Sequence, residues 1–168
     1  MQRRSLLRLG VGGAAVLALL GGGLALIKPG LRQGRLTVAG RSVFAAVAQA
    51  VLDGQLPKDP RARAAALSAQ MDRLDDTIAG FPAAMQAEIG DLVTLLATAP
   101  GRIALTGLAS DWSVASTAEV QAMLQSLRES RLPIRQQTYH ALRDLSNGPF
   151  FADPSSWPGI GYPGPPPL

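Results

Sequence analysis

Glycine and proline set the limits of what this chain can fold into. Between residues 42 and 148 they stand at the ends of apolar-periodic runs, with Gly90 the exception, and so divide the region into short helix-length pieces. Within the pieces, apolar residues recur every three or four positions, which is helical spacing. Ser42 is expected to cap a first helix with Phe44, Val47, Val51 and Leu52 on its apolar face, stopped at Gly54. Asp59-Pro60 opens a second, in which Leu67, Met71, Leu74 and Ile78 recur, and Gly80 ends it. Pro82 opens a third, with Met85, Ile89, Leu92, Val93 and Leu96 on one face, closed by Pro100-Gly101. Residues 102–112 leave room for a short turn of helix. Ser116-Thr117-Ala118-Glu119 has the form of a capping box ahead of Val120, Met123, Leu124 and Leu127. Pro133 starts a last helix through Leu142 and Leu145, stopped at Asn147-Gly148. The expectation is an all-α fold, a small bundle of about five helices over residues 41–148. No heptad is long enough for a coiled coil, and no internal repeat is present.

The residue inventory removes whole classes of chemistry. There is no cysteine, which excludes disulfides, thiol catalysis, thiolate metal sites and covalently attached c-type haem. One histidine leaves almost nothing for a zinc site or a haem ligand pair. The net charge of +4 is unevenly placed. Residues 1–35 hold six basic residues (Arg3, Arg4, Arg8, Lys28, Arg32 and Arg35), and no acidic residue occurs before Asp53. The remainder carries ten basic against twelve acidic side chains. A nucleic-acid binder keeps its positive charge on the folded body, so nucleic acid is not an expected partner.

Three groups within the helical region could be read as chemistry. Asp72, Asp75 and Asp76 cluster on the second helix beside Arg73. They lie off its apolar stripe and lack the Glu-x-x-His partners of a bundle metal site, so a solvated face is expected. His140 shares the polar side of its helix with Gln136, Gln137 and Asp144, opposite a face taken as Ile134, Thr138, Ala141 and Leu145. Asp144 is four residues on, within side-chain reach. No G-x-S-x-G accompanies His140, so a surface or interface role is expected rather than a catalytic one. Trp112 and Tyr139 suit the core or its rim, where an aromatic body is buried and a polar tip finds a partner. No catalytic, cofactor-binding or metal-ligating residue is assigned.

Residues 1–35 read as a targeting segment rather than as part of the fold. Arg3-Arg4-Ser5-Leu6-Leu7-Arg8 resembles the core of a twin-arginine (Tat) export signal, with Arg3, Arg4, Leu6, Leu7 and Arg8 as its determinants. A nineteen-residue uncharged, Gly-rich stretch follows from Leu9 to Ile27 and ends at Lys28-Pro29-Gly30. At about 1.5 Å per residue it is just long enough to cross a bilayer, so residues 9–27 serve as a membrane anchor if they are not removed. Leu36-Thr37-Val38-Ala39-Gly40 is a loose candidate for cleavage. Gly10-Val11-Gly12-Gly13-Ala14-Ala15 satisfies G-x-G-x-x-A, but neither the preceding strand nor the later carboxylate of a dinucleotide site accompanies it.

The C-terminus, residues 149–168, holds Phe150, Phe151, Trp157 and Tyr162, half of the eight aromatic residues, and seven of the thirteen prolines. Pro149 and the prolines after it oppose helix and sheet alike, so an extended tail turning at Gly159, Gly161 and Gly164 is expected. Large rings on a stiff backbone lose little entropy on docking. Phe150, Phe151, Trp157, Ile160, Tyr162 and Pro163 are the candidate partner-binding residues. Disorder is the default for a Pro/Gly-rich terminus, but the wealth of aromatic residues favours docking, either on the chain's own bundle or on another protein.

The twin-arginine leader, the small helical body and the stretch from Leu142 to Pro166 together resemble a known family. That stretch carries Leu-Arg-Asp-Leu, Phe-Phe-Ala-Asp-Pro and Trp-Pro-Gly-Ile-Gly-Tyr-Pro-Gly-Pro. The family is the small subunit of periplasmic flavin-dependent dehydrogenases of the gluconate 2-dehydrogenase subunit 3 type. The resemblance implies a non-catalytic accessory subunit. Its partner is a large flavoprotein dehydrogenase of the glucose–methanol–choline type, which carries the FAD and the catalytic residues and lacks a signal of its own. A multihaem cytochrome c subunit and the Tat translocase are further implied partners, and the implied location is periplasmic or periplasm-facing at the membrane. The alternative is a membrane-anchored periplasmic scaffold with no redox partner.

Overall fold

The computed structural model describes residues 29–165. A short antiparallel hairpin, β1 (Leu31–Arg32) with β2 (Arg35–Leu36), leads into six α-helices: α1 (Val38–Val51), α2 (Pro60–Ala79), α3 (Ala83–Ala97), α4 (Ala99–Thr106), α5 (Thr117–Arg128) and α6 (Pro133–Phe151). A 3-10 helix over Pro154–Ile160 follows. The all-α class holds. Among the described residues there is one more α-helix than expected, and the hairpin was not foreseen.

Helix α1 is the axis of the bundle and packs against α2, α3, α5 and α6. That position explains its composition. Arg41 is its one charged residue, and Val43, Phe44, Val47 and Ala48 are wholly buried. A helix ringed by neighbours needs an apolar surface wider than one stripe. The core closes around it with Leu74 and Ile78 of α2, Val93 and Leu96 of α3, Leu127 of α5 and Leu142 of α6. Truncating Phe44 to Ala at this centre would cost roughly 3–5 kcal/mol.

The helix starts follow local chemistry. Asp59 accepts from the Ala62 N–H at 2.8 Å, with Pro60 in the first turn. Ser116 and Glu119 form a reciprocal capping box. The first helix begins earlier than its Ser42 signal suggested. Thr37 is the cap, and its hydroxyl also donates to the Pro29 carbonyl at 2.7 Å. Pro100-Gly101 does not end the helical run. Thr98 closes α3 and caps α4, and Pro100 lies in the first turn of α4. Gly101 is required there, since a Cβ would lie 2.2 Å from the Leu95 carbonyl oxygen. Met85, expected on the inner face of α3, is exposed, as is Ile134 on α6. The buried face of α6 is instead Thr138, Leu142, Ser146, Pro149 and Phe150.

The hairpin turns through Gln33 (φ 50°) and Gly34 (φ 74°), the two left-handed positions of a type I′ turn. It packs on α2 and α3. Residues 29–35, expected to belong to the leader, are therefore part of the body. The acidic cluster of α2 holds them. Asp75 is buried and accepts from the Leu36 N–H at 2.6 Å and from the Arg41 guanidinium. Asp72 pairs with Arg41 at 2.9 Å and Asp76 with Arg35 at 3.1 Å, both largely in solvent. The solvated reading fits Asp72 and Asp76 and fails for Asp75.

Two predictions separate these roles. Asp75→Ala strands the Leu36 N–H inside the protein and is expected to lower the unfolding free energy by about 2–3 kcal/mol, read from the urea midpoint. Asp76→Ala removes only an exposed pair and should change it by less than about 0.5 kcal/mol. A separate prediction concerns pH and the capping box of α5. The Ser110 hydroxyl, then the Ser116 N–H and hydroxyl, hold the Glu119 carboxyl down from 4.5 to about 2. A depressed pKa contributes stability that is complete above the unfolded value and is lost as pH falls through the folded one. Thermal unfolding should therefore show a decline in Tm between about pH 4.5 and pH 2 that is shallower in Glu119→Gln.

Candidate functional site

The C-terminal segment is built onto the body in two stages. In the first, α6 runs past its expected stop at Gly148 and carries Pro149 as an interior residue. A proline normally expels its predecessor from helical geometry through clashes with that residue's N–H and Cβ. Gly148 has no Cβ, so much of that clash is absent, and the helix continues to Phe151. The expected boundary at residue 148 thus falls inside a helix. Phe150 is 8% exposed and belongs to the core. Phe151 packs against that core, its ring edge-on to Phe150 at 5.1 Å.

In the second stage Asp153 turns the chain. Its carboxylate accepts from the Ser155 N–H at 2.9 Å and pairs with Arg73 of α2 at 2.7 Å. The Ser155 N–H, and after it the Ser155 side chain, hold the Asp153 carboxyl below its ordinary range, helped by the Arg73 charge. Pro154 then starts a 3-10 helix instead of the extended backbone expected. The half-buried Trp157 is its strut. The indole N–H donates to the Phe151 carbonyl at 2.9 Å, and the ring meets Tyr162 edge-on at 5.1 Å. Gly161 (φ 71°) takes a left-handed turn that brings the Tyr162 N–H to the Trp157 carbonyl at 3.1 Å. A Cβ on Gly164 (φ 95°) would stand 3.3 Å from the same indole.

This divides the six candidate binding residues. Phe150 and Phe151 are committed to the body, the first of the two targets expected for them. Trp157 braces the segment. Ile160 at 49%, Tyr162 at 45% and Pro163 face solvent. The export residues Arg3, Arg4, Leu6, Leu7 and Arg8 lie outside the described residues.

The clefts offer little chemistry. One of about 330 Å³ lies under the segment, lined among others by Gln55, Leu56, Ala66, Arg73, Phe150 and Ser155. Another of about 290 Å³ lies against α1, α5 and α6, with Gln121, Arg128, Tyr139 and Arg143 in its wall. Neither lining contains a histidine or a carboxylate to activate a nucleophile. His140 is exposed, with its ring edge-on to Tyr139, and Asp144 pairs with Arg143 at 2.7 Å instead of with His140. Arg143 also stands over the Tyr139 ring. Trp112 is a core residue as expected, its indole N–H donating to the Leu96 carbonyl at 2.7 Å. Buried Arg102 is satisfied by the Leu108 and Ala109 carbonyls and by Asp111. Among the described residues, no group of acidic or histidine side chains could hold a metal ion, and no helix is long and apolar enough to cross a membrane.

Sequence reasoning missed Arg73 and Asp153, which fix where the segment leaves α6. The Asp153-Pro154 pair carried the signal of a capped turn, but Arg73 lies 80 positions earlier and nothing local points to it.

Comparison with protein-family models, with curated proteins and with solved structures finds no match for this chain.

Trp157→Ala is expected to loosen the segment beyond Phe151 while leaving the bundle in place. Amide exchange at Gly161 and Tyr162 should then rise at least about tenfold, with unchanged protection at Leu127 and Leu142.

Proposed function

We propose that this chain is a non-catalytic accessory subunit, one that escorts a larger flavin-dependent dehydrogenase through Tat export and supports its maturation and assembly. On this reading FAD and the catalytic groups belong to that partner, and a multihaem cytochrome c subunit is a further candidate partner. The observation that carries the reading is the C-terminal segment. Ile160, Tyr162 and Pro163 are outward on a backbone already braced by Trp157 and Asp153. An apolar surface whose ordering entropy is already spent suits lasting association, and tyrosine is among the residues that dominate such contacts.

Export of folded complexes gives the arrangement its logic. A flavin must be inserted before the enzyme leaves the cytoplasm. A signal on the small subunit then lets only the assembled pair depart.

A flavoprotein dehydrogenase without a signal of its own is expected in the adjacent reading frame, and co-expression with it tests both halves. Arg3→Lys with Arg4→Lys is expected to strand dehydrogenase activity in the cytoplasm, and normal periplasmic activity would sink the escort reading. Ile160→Ser with Tyr162→Ala should leave the Tm of this chain within about 2 °C and reduce co-purification of the large subunit at least about tenfold. Undiminished co-purification would move the interface elsewhere on the bundle.

A further inference from the structure

Pro29 and Gly30 are the first described residues, and both are already fastened to the body. The Thr37 hydroxyl donates to the Pro29 carbonyl at 2.7 Å, and the Thr37 N–H donates to the Gly30 carbonyl at 3.0 Å. The Gly30 N–H donates to the Thr94 hydroxyl of α3 at 2.7 Å. The backbones are in such close contact that a Cβ on Gly30 would lie 2.6 Å from the Thr94 nitrogen. A Cβ on Gly40 would lie 2.3 Å from the Gly30 carbonyl oxygen. The Leu36 N–H is taken by buried Asp75.

The loose cleavage candidate, Leu36-Thr37-Val38-Ala39-Gly40, lies inside this seam. Leu36 and Gly40 are buried, Thr37 is the helix cap, and Val38 to Gly40 are the first turn of α1. Proteases act on exposed, locally open chain. Presenting this stretch to one would require opening the hairpin, the cap and the first turn together.

We propose that the leader is a permanent part of the protein, because the fold denies a signal peptidase the site at residues 36–40. This rests on the reading of residues 1–28 as an export segment. The consequence is a short tether. Only Lys28 separates the uncharged stretch Leu9–Ile27 from Pro29, and one residue spans at most about 3.6 Å. The hairpin end of the bundle, with exposed Arg32, is thereby held at the membrane surface, where a basic side chain meets anionic headgroups favourably.

The test uses the full chain purified in detergent and incubated with purified signal peptidase, with a cleavable secretory precursor as control. The intact mass is expected to persist while the control is cut, and a product beginning anywhere from residue 26 to 41 would overturn the proposal. Thr94→Val supplies the second arm, because it removes the Gly30 anchor without adding bulk. Limited chymotrypsin cleavage after Leu31 or Leu36 should accelerate about fivefold or more over the wild type, with the helical circular dichroism unchanged. Equal cleavage rates would show that the seam does not shield the segment and would also overturn it. Cell fractionation reads export separately. A full-length chain confined to the cytoplasm defeats the export reading, while the peptidase result stands on its own.

Discussion

The carboxylate of Asp75 is the constraint on which the N-terminal half of the structure depends. With its side chain 2% exposed, it accepts from the Leu36 N–H on one oxygen and from the Arg41 guanidinium on the other. An ionised carboxylate cannot be left alone in a protein interior, so burying it commits both partners. That single group therefore joins the hairpin and α1, neighbours in the chain, to α2, whose Asp75 lies 39 positions beyond Leu36 and 34 beyond Arg41. Asp72 and Asp76 flank it on the solvent side and add exposed pairs of small individual worth. Their contribution is to surround Arg41 and Arg35 with negative charge as the hairpin settles. Gln70 plays a parallel part toward α6. It is fully buried and donates to the Ser146 carbonyl at 2.8 Å.

What could be read in the sequence was what the chain decides within one helical turn. The Asp59 and Ser116 caps involve partners three residues away, and both helices begin where those residues predict. The apolar stripes of α2 and α5 are legible for the same reason. Signals with two meanings misled. Pro100 both ends one helix and suits the first turn of the next, so the sequence alone does not distinguish α4 from a connecting turn. Pro149 opposes a helix partly through the Cβ of the residue before it, and Gly148 removes that part of the objection. Ser42 and Thr37 are both plausible caps, and the choice falls to Thr37 because its hydroxyl also reaches the carbonyl of Pro29. The burial of Asp75 was illegible in principle, because Leu36 and Arg41 stand 39 and 34 positions away.

In the C-terminal segment, the sequence pointed to docking over disorder for an apolar, aromatic-rich stretch. It did not show how the residues would be shared. Phe150 and Phe151 complete the bundle, Trp157 stiffens the backbone, and Ile160 and Tyr162 remain outward. The division follows from geometry. The helix carries the first two rings inward, and the turn at Asp153 changes direction before the others arrive. Proline then acts less as a breaker of structure than as a means of keeping those outward residues in fixed relation. This is the property the proposed partner contact requires.

The contact between Gly30 and Thr94 also orders events in time. Gly30 is among the earlier residues to leave the ribosome, yet its anchor is synthesised 64 positions later, and the Asp75 contact with Leu36 is likewise non-local. Long-range contacts of this kind form only after the intervening chain exists. The hairpin must therefore remain undocked until α2 and α3 have been made, and it closes as they fold. The seam at the head of the chain thus records that much of the body behind it has been completed. On the proposed reading, an export signal in residues 1–28 would be joined directly to this structural mark of the body's completion.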